Sequence, residues 1–210
     1  AFLPERVMAC SQGTSSVLTL GGIDYRSGEP YVSYESIKGG FGARPTKDGI
    51  NCVAAGISNM MNTPIEVLEM SFPVRVEEYS VLTDSGGAGE FRGGCGARRV
   101  WRVLGNPSLG AICCERSKSP PFGLAGGMAG SPMRITLEDP DGGKRYPLSK
   151  GAFTVPADGL IIVEVPGSGG YGPPAKRDRA ALADDLKNGY VSEEAAHKDY
   201  GVADPDAVER

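Results

Sequence analysis

The sequence predicts an α+β fold, in which a β-rich, largely antiparallel sheet domain is followed by a short helical C-terminal appendage. Two observations lead to this prediction. Five or six apolar runs of strand length are separated by glycine and aspartate turns, with no long helix between them. The chain then changes character at Gly167, where a glycine-rich loop leads into polar segments with helix-capping residues. We therefore expect the sheet domain over residues 1–166 and the loop with its helical appendage over residues 167–210.

The composition is that of a globular protein of 210 residues, of which 40% are hydrophobic and 23% are charged. The net charge of −4 and the lack of a basic stripe argue against nucleic acid as a partner. No apolar run reaches the length of a membrane span, so no membrane partner is expected, and the first residues lack the pattern of a signal peptide. The five cysteines have no Cys-x-x-Cys spacing, which favours free thiols in a reducing cytoplasm.

The first part of the chain is predicted to alternate strands with loops. β-Branched and aromatic residues predict strands over residues 17–20 and 30–34. A glycine-rich loop covers residues 39–49. The small residues of 51–61 are compatible with a buried helix, despite Gly56.

A short helix is predicted to begin at Thr63, because Thr-Pro-x-Glu is a helix start signal. Thr63 is a preferred N-cap, Pro64 suits the first helical position, and Glu66 completes a capping box. Pro73 cannot continue a helix, so this helix must end before it.

From Val74 onwards the chain is predicted to form sheet. The alternation of apolar residues changes parity at Glu77-Glu78, which predicts a β-bulge. Further strands are predicted over residues 100–104, 109–113, 133–137 and 160–165. The last of these is almost wholly apolar and is therefore expected in the centre of the sheet. The turn sequence Asp141-Gly142-Gly143 favours antiparallel pairing.

Three short helices are predicted in the tail. Asp178 is expected to cap the first, which ends before Gly189. Ser192 is expected to cap the second, which ends at Gly201. A third is expected to begin at Asp204-Pro205.

The densest motif is the segment 84–96, in which six glycines stand among thirteen residues. Glycine weakens strands, so we interpret these glycines as giving positive φ angles and close backbone approach. Exposed amides around Ser85, Gly86 and Gly87 would then form an anion nest, with Asp84 and Arg92 facing a polar or charged substrate. The alternative is a glycine-rich bulge between two strands, in which Asp84 pairs with Arg92.

Arg44 and Asp48 are further candidates, in the loop of residues 39–49. A guanidinium clamps an anion with two hydrogen bonds, and the Asp48 carboxylate is suited to act as a base or a metal ligand. The alternative is a turn at Asp48-Gly49, with Arg44 as a surface cation. Glu66 and Glu69 share one helix face, as a pair of catalytic carboxyls would. Capping explains Glu66, which leaves Glu69 as the better catalytic candidate.

Other motifs favour structure over chemistry. The run 167–172 lacks the Lys-Ser/Thr of a P-loop and the spacing of a dinucleotide fingerprint, which favours a flexible turn. Ser85 lies in an Asp-Ser-Gly-Gly sequence, but the only histidine, His197, is in the distant tail, so no Ser-His-Asp triad is expected. No metal is expected in this chain, although a carboxylate-only Mg²⁺ site stays open.

Taken in order along the chain, these motifs resemble the hydantoinase B/oxoprolinase family. They are Gly39-Gly40-x-Gly42-Ala43-Arg44…Asp48-Gly49, Asn59-x-x-Asn62-Thr63-Pro64-x-Glu66-x-x-Glu69, Tyr79-x-Val81-x-x-Asp84-Ser85-Gly86-Gly87-x-Gly89-x-x-Arg92-Gly93-Gly94-x-Gly96, and Gly169-Gly170-Tyr171-Gly172…Arg177-Asp178…Val191-Ser192…Tyr200-Gly201-Val202. The third motif is the most specific. One departure is Pro173, where the family usually has Asp.

The resemblance implies one part of a larger enzyme. Family members are considerably longer than this chain, which resembles the C-terminal part of their B-type subunit. The implied partners are an A-type subunit of actin-like fold, which binds ATP and Mg and phosphorylates a small-molecule substrate, and a chain or segment that supplies the N-terminal part of the B-type subunit.

The expected function is that of part of an ATP-dependent amidohydrolase that opens a cyclic amide of the hydantoin, 5-oxoproline or lactam type. One alternative is part of an ATP-dependent ketone carboxylase of the acetone or acetophenone type. Another is a non-catalytic scaffold subunit of such a complex. From the chemistry, Arg44 and Arg92 are expected to bind a phosphorylated intermediate, and Asp48, Glu69 or Asp84 to act as the base.

Overall fold

Two antiparallel β-sheets and three short helices make up the structure, a computed structural model that describes residues 6–13, 15–54, 56, 58 and 60–202. The strands are β1 (Ser16–Ile23), β2 (Pro30–Ile37), β3 (Val74–Val81), β4 (Ala97–Val103), β5 (Ser108–Cys113), β6 (Arg134–Glu138), β7 (Arg145–Pro147), β8 (Gly151–Val155) and β9 (Leu160–Glu164). The helices are α1 (Ile65–Ser71), α2 (Arg179–Lys187) and α3 (Glu193–Tyr200). This architecture confirms the predicted α+β class.

The four-stranded sheet has the strand order β2-β1-β5-β8, and all its neighbours are antiparallel. Its inner face carries buried apolar residues, such as Leu18, Leu20 and Ile112. Successive side chains of a strand alternate between the two faces of its sheet. The residues between these buried positions therefore form the outer face.

The five-stranded sheet has the order β3-β4-β9-β6-β7. The strand β9 lies in its middle, which confirms the central position predicted from its apolar sequence. The pairing of β3 with β4 shifts between Val76 and Glu78, so the predicted bulge at Glu77-Glu78 is also confirmed. The turn at Asp141-Gly142-Gly143 joins β6 to β7 as an antiparallel pair, as predicted.

The core lies between the inner faces of the two sheets. It unites residues of the four-stranded sheet, such as Leu18 and Val155, with residues of the five-stranded sheet, such as Trp101 and Ile161. One ion pair crosses this core, since Arg99 Nη1 on β4 donates to Glu35 Oε2 on β2 at 3.0 Å. A smaller apolar cluster packs α2 and α3 together around Leu182.

Two predictions around α1 are wrong. None of the described residues between 51 and 61 is helical, and Gly56 has a φ of +79°, which no α-helix accommodates. Ala55, Ile57 and Asn59 lie outside the described residues. The helix α1 ends before Pro73 as predicted, but its N-cap is Pro64 and no side chain caps it.

The capping box fails because the threonine stands one position too early. The first helical residue is Ile65, so Thr63 is the residue before the cap. From there its hydroxyl does not serve the free amides of the first turn. Glu66 is therefore left without the structural role that the sequence suggested for it.

The described part of the tail agrees with the prediction. Asp178 caps α2 by accepting from Ala181 N at 3.0 Å, and Ser192 caps α3 by accepting from Ala195 N at 3.1 Å. Gly201 ends α3 in the left-handed conformation. The helix expected at Asp204-Pro205 lies outside the described residues, and the domain division at residue 166 stays a prediction. In the part of the chain that the structure describes, no helix is both long and apolar enough to cross a membrane.

Two observed strands, β7 and β8, were absent from the prediction. The strand β7 has only three residues, all of them exposed, which leaves no alternation to detect. The strand β8 begins with Gly151-Ala152, and these residue types disfavour strands. Pairing with β6 and β5, rather than local propensity, creates these two strands.

Candidate functional site

Four segments rich in glycine lie against one another and are called here the glycine-packed region: residues 39–50, 85–96, 121–130 and 166–172. Backbone hydrogen bonds join them, such as Gly40 N to Pro166 O at 3.0 Å and Leu124 N to Gly170 O at 3.0 Å. Gly49 N donates to Arg92 O at 2.7 Å. Three of the four motifs that carry the family resemblance therefore meet here, although they are far apart in sequence.

The glycines of this region allow backbones to touch. A Cβ atom added at Gly40 would lie 1.9 Å from Gly94 O, and one added at Gly167 would lie 1.8 Å from Ser85 O. These obstacles are backbone atoms, which cannot rotate away as a side chain can. Close backbone approach was predicted and is confirmed.

The prediction of positive φ angles is wrong, because none of the six glycines in residues 84–96 has a positive φ. In that segment Asp84 has a φ of 58°. The amides are also engaged. Those of Gly87, Gly93 and Gly94 donate to backbone carbonyls, and that of Gly96 donates to Ser85 Oγ. An anion nest needs free amides, so the Gly87 amide cannot contribute to one, and the nest predicted around Ser85 and Gly86 stays a prediction.

The run 167–172 is not the flexible turn that the sequence suggested. Every amide from Gly167 to Gly172 donates to another segment of the chain. Most of these residues are buried. Glycine-rich loops that bind nucleotides present free amides to the phosphates, so this run does not fit a nucleotide phosphate.

A charge cluster formed by Asp48, Arg92, Arg177 and Asp185 joins the glycine-packed region to α2. Arg177 Nη2 donates to Asp48 Oδ2 at 2.8 Å and to Asp185 Oδ2. Arg92 Nε donates to Asp185 Oδ1 at 3.1 Å, and Arg92 N donates to Asp48 Oδ1 at 2.7 Å. The cluster is neutral as a whole, which offsets the cost of burying its charges. Only the Asp48 side chain is substantially exposed, at 34%, against 2–6% for the other three.

Polar and aromatic neighbours complete the surroundings of the two arginines. The Arg92 guanidinium lies 5.1 Å from the centre of the Tyr190 ring, and that of Arg177 lies 5.9 Å from the Tyr200 ring. Asn51 Oδ1 accepts from Arg92 Nη1 at 3.2 Å and from Cys95 N at 2.8 Å. Both guanidinium groups are thus held in place from several sides.

The charges of the cluster control the protonation of Asp48. Burial alone would raise the pKa of this carboxyl, but the hydrogen bonds and charge of Arg177, assisted by Arg92, hold the pKa below its usual value. The carboxylate therefore stays ionised at neutral pH and is a weak base. Burial raises the pKa of Tyr200, whose hydroxyl stays protonated.

Three buried polar groups around Asp48 lack a hydrogen-bond partner within the described residues: Arg44 Nε, Arg177 Nε and the Tyr200 hydroxyl. Arg44 belongs to this neighbourhood because its Nη2 donates to Asp48 O at 3.0 Å. All three groups can donate a hydrogen bond. They suit the oxygen atoms of a carbonyl, carboxylate or phosphoryl group, and they disfavour a cation.

A metal ion fits this cluster poorly. Asp48 and Asp185 already accept from guanidinium groups, whose positive charge repels a cation. Among the described residues, no group of three or more His, Cys, Asp or Glu side chains is arranged to hold a metal ion.

The structure brings three of the predicted site residues together, namely Arg44, Asp48 and Arg92. Gly86 lies beside them, since a Cβ atom there would stand 3.2 Å from Arg92 Nη1. Gly87 instead packs on the carbonyl oxygen of Met128. The functional roles predicted for Arg44, Asp48, Arg92, Gly86 and Gly87 stay predictions.

Asp84 and Ser85 lie at the start of the same segment but have other contacts. Asp84 Oδ1 accepts from Ser192 N at 2.8 Å, so Asp84 connects this segment to the start of α3. The alternative in which Asp84 pairs with Arg92 is wrong, because Arg92 pairs with Asp185. Ser85 is buried, and its hydroxyl bonds to the backbone of Leu82 and Gly96.

Glu69 is held elsewhere. Its Oε1 accepts from Val76 N at 2.8 Å, which attaches α1 to β3. None of the hydrogen bonds and ion pairs described for the charge cluster includes Glu69 or Glu66. A catalytic role for Glu69 stays a prediction and would need a substrate that reaches α1.

Sequence reasoning missed Arg177, Asp185 and Tyr200 as members of the site. Arg177 and Tyr200 stand inside the C-terminal motif of the family resemblance, which was the available signal. Asp185 gives no local signal, because an aspartate on a polar helix is ordinarily exposed. In the folded chain Asp185 is 5% exposed, and its carboxylate accepts from Arg92 and Arg177.

Comparison with known proteins identifies the family to which the sequence is similar. The family model described as Hydantoinase B/oxoprolinase matches residues 1–174. An uncharacterised protein of Methanocaldococcus jannaschii is 39% identical over 95% of this chain and 34% of its own length. Caprolactamase subunit beta of Pseudomonas jessenii is 35% identical over 95% of this chain and 36% of its own length. The 5-oxoprolinase of Dictyostelium discoideum is 36% identical over 78% of this chain and 12% of its own length.

Two solved structures have the same fold. The ATP-dependent caprolactamase from Pseudomonas jessenii matches with a TM-score of 0.82 and 31% identity, over 95% of this chain and 36% of the other. A nucleotide-free acetone carboxylase matches with a TM-score of 0.81 and 24% identity, over 95% of this chain and 31% of the other. The chain thus spans about a third of the length of the first relatives that it matches.

Proposed function

This chain belongs to the hydantoinase B/oxoprolinase family, and we propose that it is part of the B-type subunit of an ATP-dependent enzyme that opens a cyclic amide. The observation that carries this proposal is the likeness to caprolactamase subunit beta, at 35% identity over 95% of the chain. The likeness to acetone carboxylase, at 24% identity, supports the fold but does not favour ketone carboxylation.

ATP is proposed to bind outside the described residues, on an A-type partner subunit of actin-like fold. The glycine-rich run 167–172 supports this assignment, because every one of its amides already donates within the chain. ATP would supply a phosphoryl group that activates the stable amide oxygen. The residues of this chain would then hold the activated group. Binding of Mg by the partner and a cytoplasmic location are further parts of the proposal.

Within this chain we propose Arg44 as the residue that reaches the substrate or its phosphorylated form. It is half-buried beside Asp48 and has an unpartnered Nε. Arg92 is 3% exposed and its guanidinium donates to Asp185, Asn51 and Gly93 O, so we propose it as a positioning residue that holds these groups in place. Asp48 is proposed to stay ionised and to fix Arg177, since its lowered pKa makes it a weak base.

The test begins with protein purified without denaturant from its native source, so that associated chains are retained. ADP release is measured with ATP and Mg²⁺ in the presence of caprolactam, 5-oxoproline or hydantoin, and separately with acetone and bicarbonate. ADP release that depends on one of the cyclic amides supports the proposal. Release only with the ketone and bicarbonate would establish the carboxylase alternative instead. ADP release that stays complete when the candidate residues of this chain are substituted would favour the scaffold alternative.

Variants of the same assembly test the residue roles. Arg44→Met is expected to lower kcat by about 10- to 100-fold, because a positioning hydrogen bond to the reacting group is lost. Arg134→Met is the matched control, since Arg134 is exposed on β6 and lies outside the cluster. Full turnover by Arg44→Met would refute the proposal that Arg44 contacts the substrate. Full turnover by Asp84→Ala and Arg92→Ala would likewise refute the roles predicted for those residues.

A further inference from the structure

The four strands place no charged residue on the outer face of the four-stranded sheet, although the Lys38 ammonium at the end of β2 donates to Ser36 Oγ at 2.7 Å. Strand pairing places the same alternating residues of all four strands on this face. They are Pro30, Val32, Tyr34 and Ser36 of β2, Val17, Thr19, Gly21 and Ile23 of β1, Leu109, Ala111 and Cys113 of β5, and Ala152 and Thr154 of β8. This set of residues is called the apolar outer face.

The large side chains of the apolar outer face are not covered by any described part of the chain. Val32 is 70% exposed, Tyr34 64% and Leu109 63%. Gly21 lies on the strand between Val32 and Leu109, and its missing side chain leaves a shallow groove of about 470 Å³. The groove is lined almost entirely by apolar atoms, so it suits an apolar side chain from another polypeptide.

A face of this kind is unusual for a sheet with one side in water. Antiparallel sheets with a solvated face normally place polar residues on it. On β2 the pattern is reversed, since Glu35 and Ser33 point into the core while Val32 and Tyr34 point out. Contiguous exposed apolar surface of this extent marks an interaction site.

The lengths of the relatives indicate what covers the face. This chain corresponds to 36% of caprolactamase subunit beta and to 36% of the solved caprolactamase chain. The remaining two thirds of such a subunit are thus a large body of polypeptide that is available to cover the face. A face without charges resembles the interior of one subunit, whereas partners that associate and dissociate generally meet through surfaces with a polar rim.

A second copy of this chain fits the face less well. From strand spacing and rise, four strands of up to eight residues cover about 15 Å by 27 Å, or roughly 400 Å². A self-standing interface generally buries about 800 Å² on each partner. The face is thus small for an independent dimer, but it is adequate for a contact within a subunit that is joined by further contacts.

We propose that the apolar outer face is the docking surface for the rest of the B-type subunit, the polypeptide region that the relatives carry beyond the part matched by this chain. The side chain that enters the groove above Gly21 is expected to be apolar. This inference rests on that part of the proposed function which places the chain in a B-type subunit. It does not depend on the reaction that the subunit performs.

The first test uses Cys113, an exposed thiol on the apolar outer face, as a built-in probe. The assembled native protein is treated briefly with N-ethylmaleimide, and labelling is followed by peptide mapping. The control is a Ser80→Cys variant, because Ser80 is exposed on the outer face of the other sheet. We expect Cys113 to react at least tenfold more slowly than the thiol at position 80. Equal rates would mean that the face is open in the assembly and would overturn the proposal.

The second test identifies the occupant. A photo-crosslinking residue, p-benzoylphenylalanine, replaces Tyr34, and the crosslinked peptides are sequenced after irradiation of the assembly. Crosslinks to the region of the B-type subunit beyond the match are expected. Crosslinks to a second copy of this chain, to another part of the same matched region, or to the ATP-binding subunit would each contradict the proposal.

A third measurement separates docking from catalysis. Val32→Lys is expected to raise the rate at which Cys113 of the assembly reacts with N-ethylmaleimide at least tenfold, because a charged side chain displaces the docked region, whereas Ser80→Lys leaves that rate unchanged. A Cys113 thiol that stays slow in the Val32→Lys assembly would argue against the docking surface. None of these readouts measures turnover, so an assembly without cyclic-amide activity would refute the proposed function and leave this inference standing.

Discussion

The outer faces of the two sheets differ, although both belong to antiparallel sheets that share one core. On the five-stranded sheet, ion pairs cover the face: Arg98 bonds to Glu78 and to Glu164, and Glu77 accepts from Arg75 and Arg102. The four-stranded sheet has no charge on its outer face and instead buries a charge inside, at Glu35. A solvent-exposed sheet face normally carries polar or charged residues, so the uncharged face is the one suited to contact with protein.

Apolar residues on the two faces also have different surroundings. Val100 and Ile162 belong to the outer face of the five-stranded sheet, yet they are only 5% and 6% exposed. Arg98 and Arg102 flank Val100 on the same strand face, and the aliphatic stems of such side chains can cover apolar surface. Val32 on the other sheet has no such neighbours and is 70% exposed. Substitutions inside the sandwich and on both of its outer faces test this contrast.

The largest effect is expected for the ion pair inside the sandwich. Arg99 is 1% exposed, bonds to Glu35, and lies between the rings of Trp101 and Tyr79. Arg99→Leu leaves the Glu35 carboxylate buried without its partner and should lower the free energy of unfolding by about 3–5 kcal/mol. Chemical denaturation measures this change. The double variant Arg99→Leu with Glu35→Leu should recover most of it, and a double variant as unstable as the single one would contradict the explanation.

A smaller change in unfolding free energy is expected when valine is replaced by threonine on each of the two outer faces. Val100→Thr buries a hydroxyl and should cost about 1–3 kcal/mol of unfolding free energy. Val32→Thr places the same hydroxyl in water and should change the unfolding free energy of the isolated chain by less than about 0.5 kcal/mol. Both variants keep a β-branched residue, so strand propensity is matched. Equal costs at the two positions would show that Val32 is covered within this chain.

A smaller effect is expected for the ion pairs of the charged face. Arg98→Ala removes contacts to Glu78 and Glu164. Because these groups are partly exposed, the loss should be only about 0.2–1 kcal/mol. The difference between wild type and variant should shrink in 1 M salt, as thermal unfolding at two ionic strengths would reveal. A loss that does not depend on salt would point to packing by the arginine stem instead.

The smallest effect concerns pH. Hydrogen bonds from Arg102 and Arg75 hold the pKa of Glu77 below its ordinary value. Its contribution to stability is therefore fully present above the unfolded-state pKa, which is about 4.3, and is lost as the pH falls through the lower folded-state pKa. Glu77→Gln should lower the melting temperature slightly at pH 7 and flatten its fall below about pH 4. An unchanged acid profile in Glu77→Gln would exclude this ion pair as a contributor.

Local rules predicted most of the regular structure. The bulge at Glu77-Glu78, the central position of β9 and the caps at Asp178 and Ser192 follow from alternation, apolar runs and side-chain chemistry, which act between near neighbours. The failures at Thr63 and at residues 51–61 show the limit of such rules. In both places a residue type with a suitable preference stands where the tertiary structure does not use it.

The candidate site was predictable only in part. Arg44, Asp48 and Arg92 stand next to glycines, which drew attention to them, and the structure places them together. Their partners Arg177 and Asp185 come from the tail, more than eighty positions after Arg92. Pairing between residues so far apart depends on how the chain folds back, and no local pattern encodes it.

Local sequence patterns were enough to predict the fold class, the order of most elements, the family and the glycines that permit close backbone approach. The tertiary structure alone decided which backbones those glycines bring together, which arginine pairs with which aspartate, and which sheet face remains uncharged and uncovered. The physical reason is the distance over which the interactions act. Propensity, capping and alternation act over a few residues, whereas burial and charge pairing depend on distances in space that are set only when the whole chain has packed.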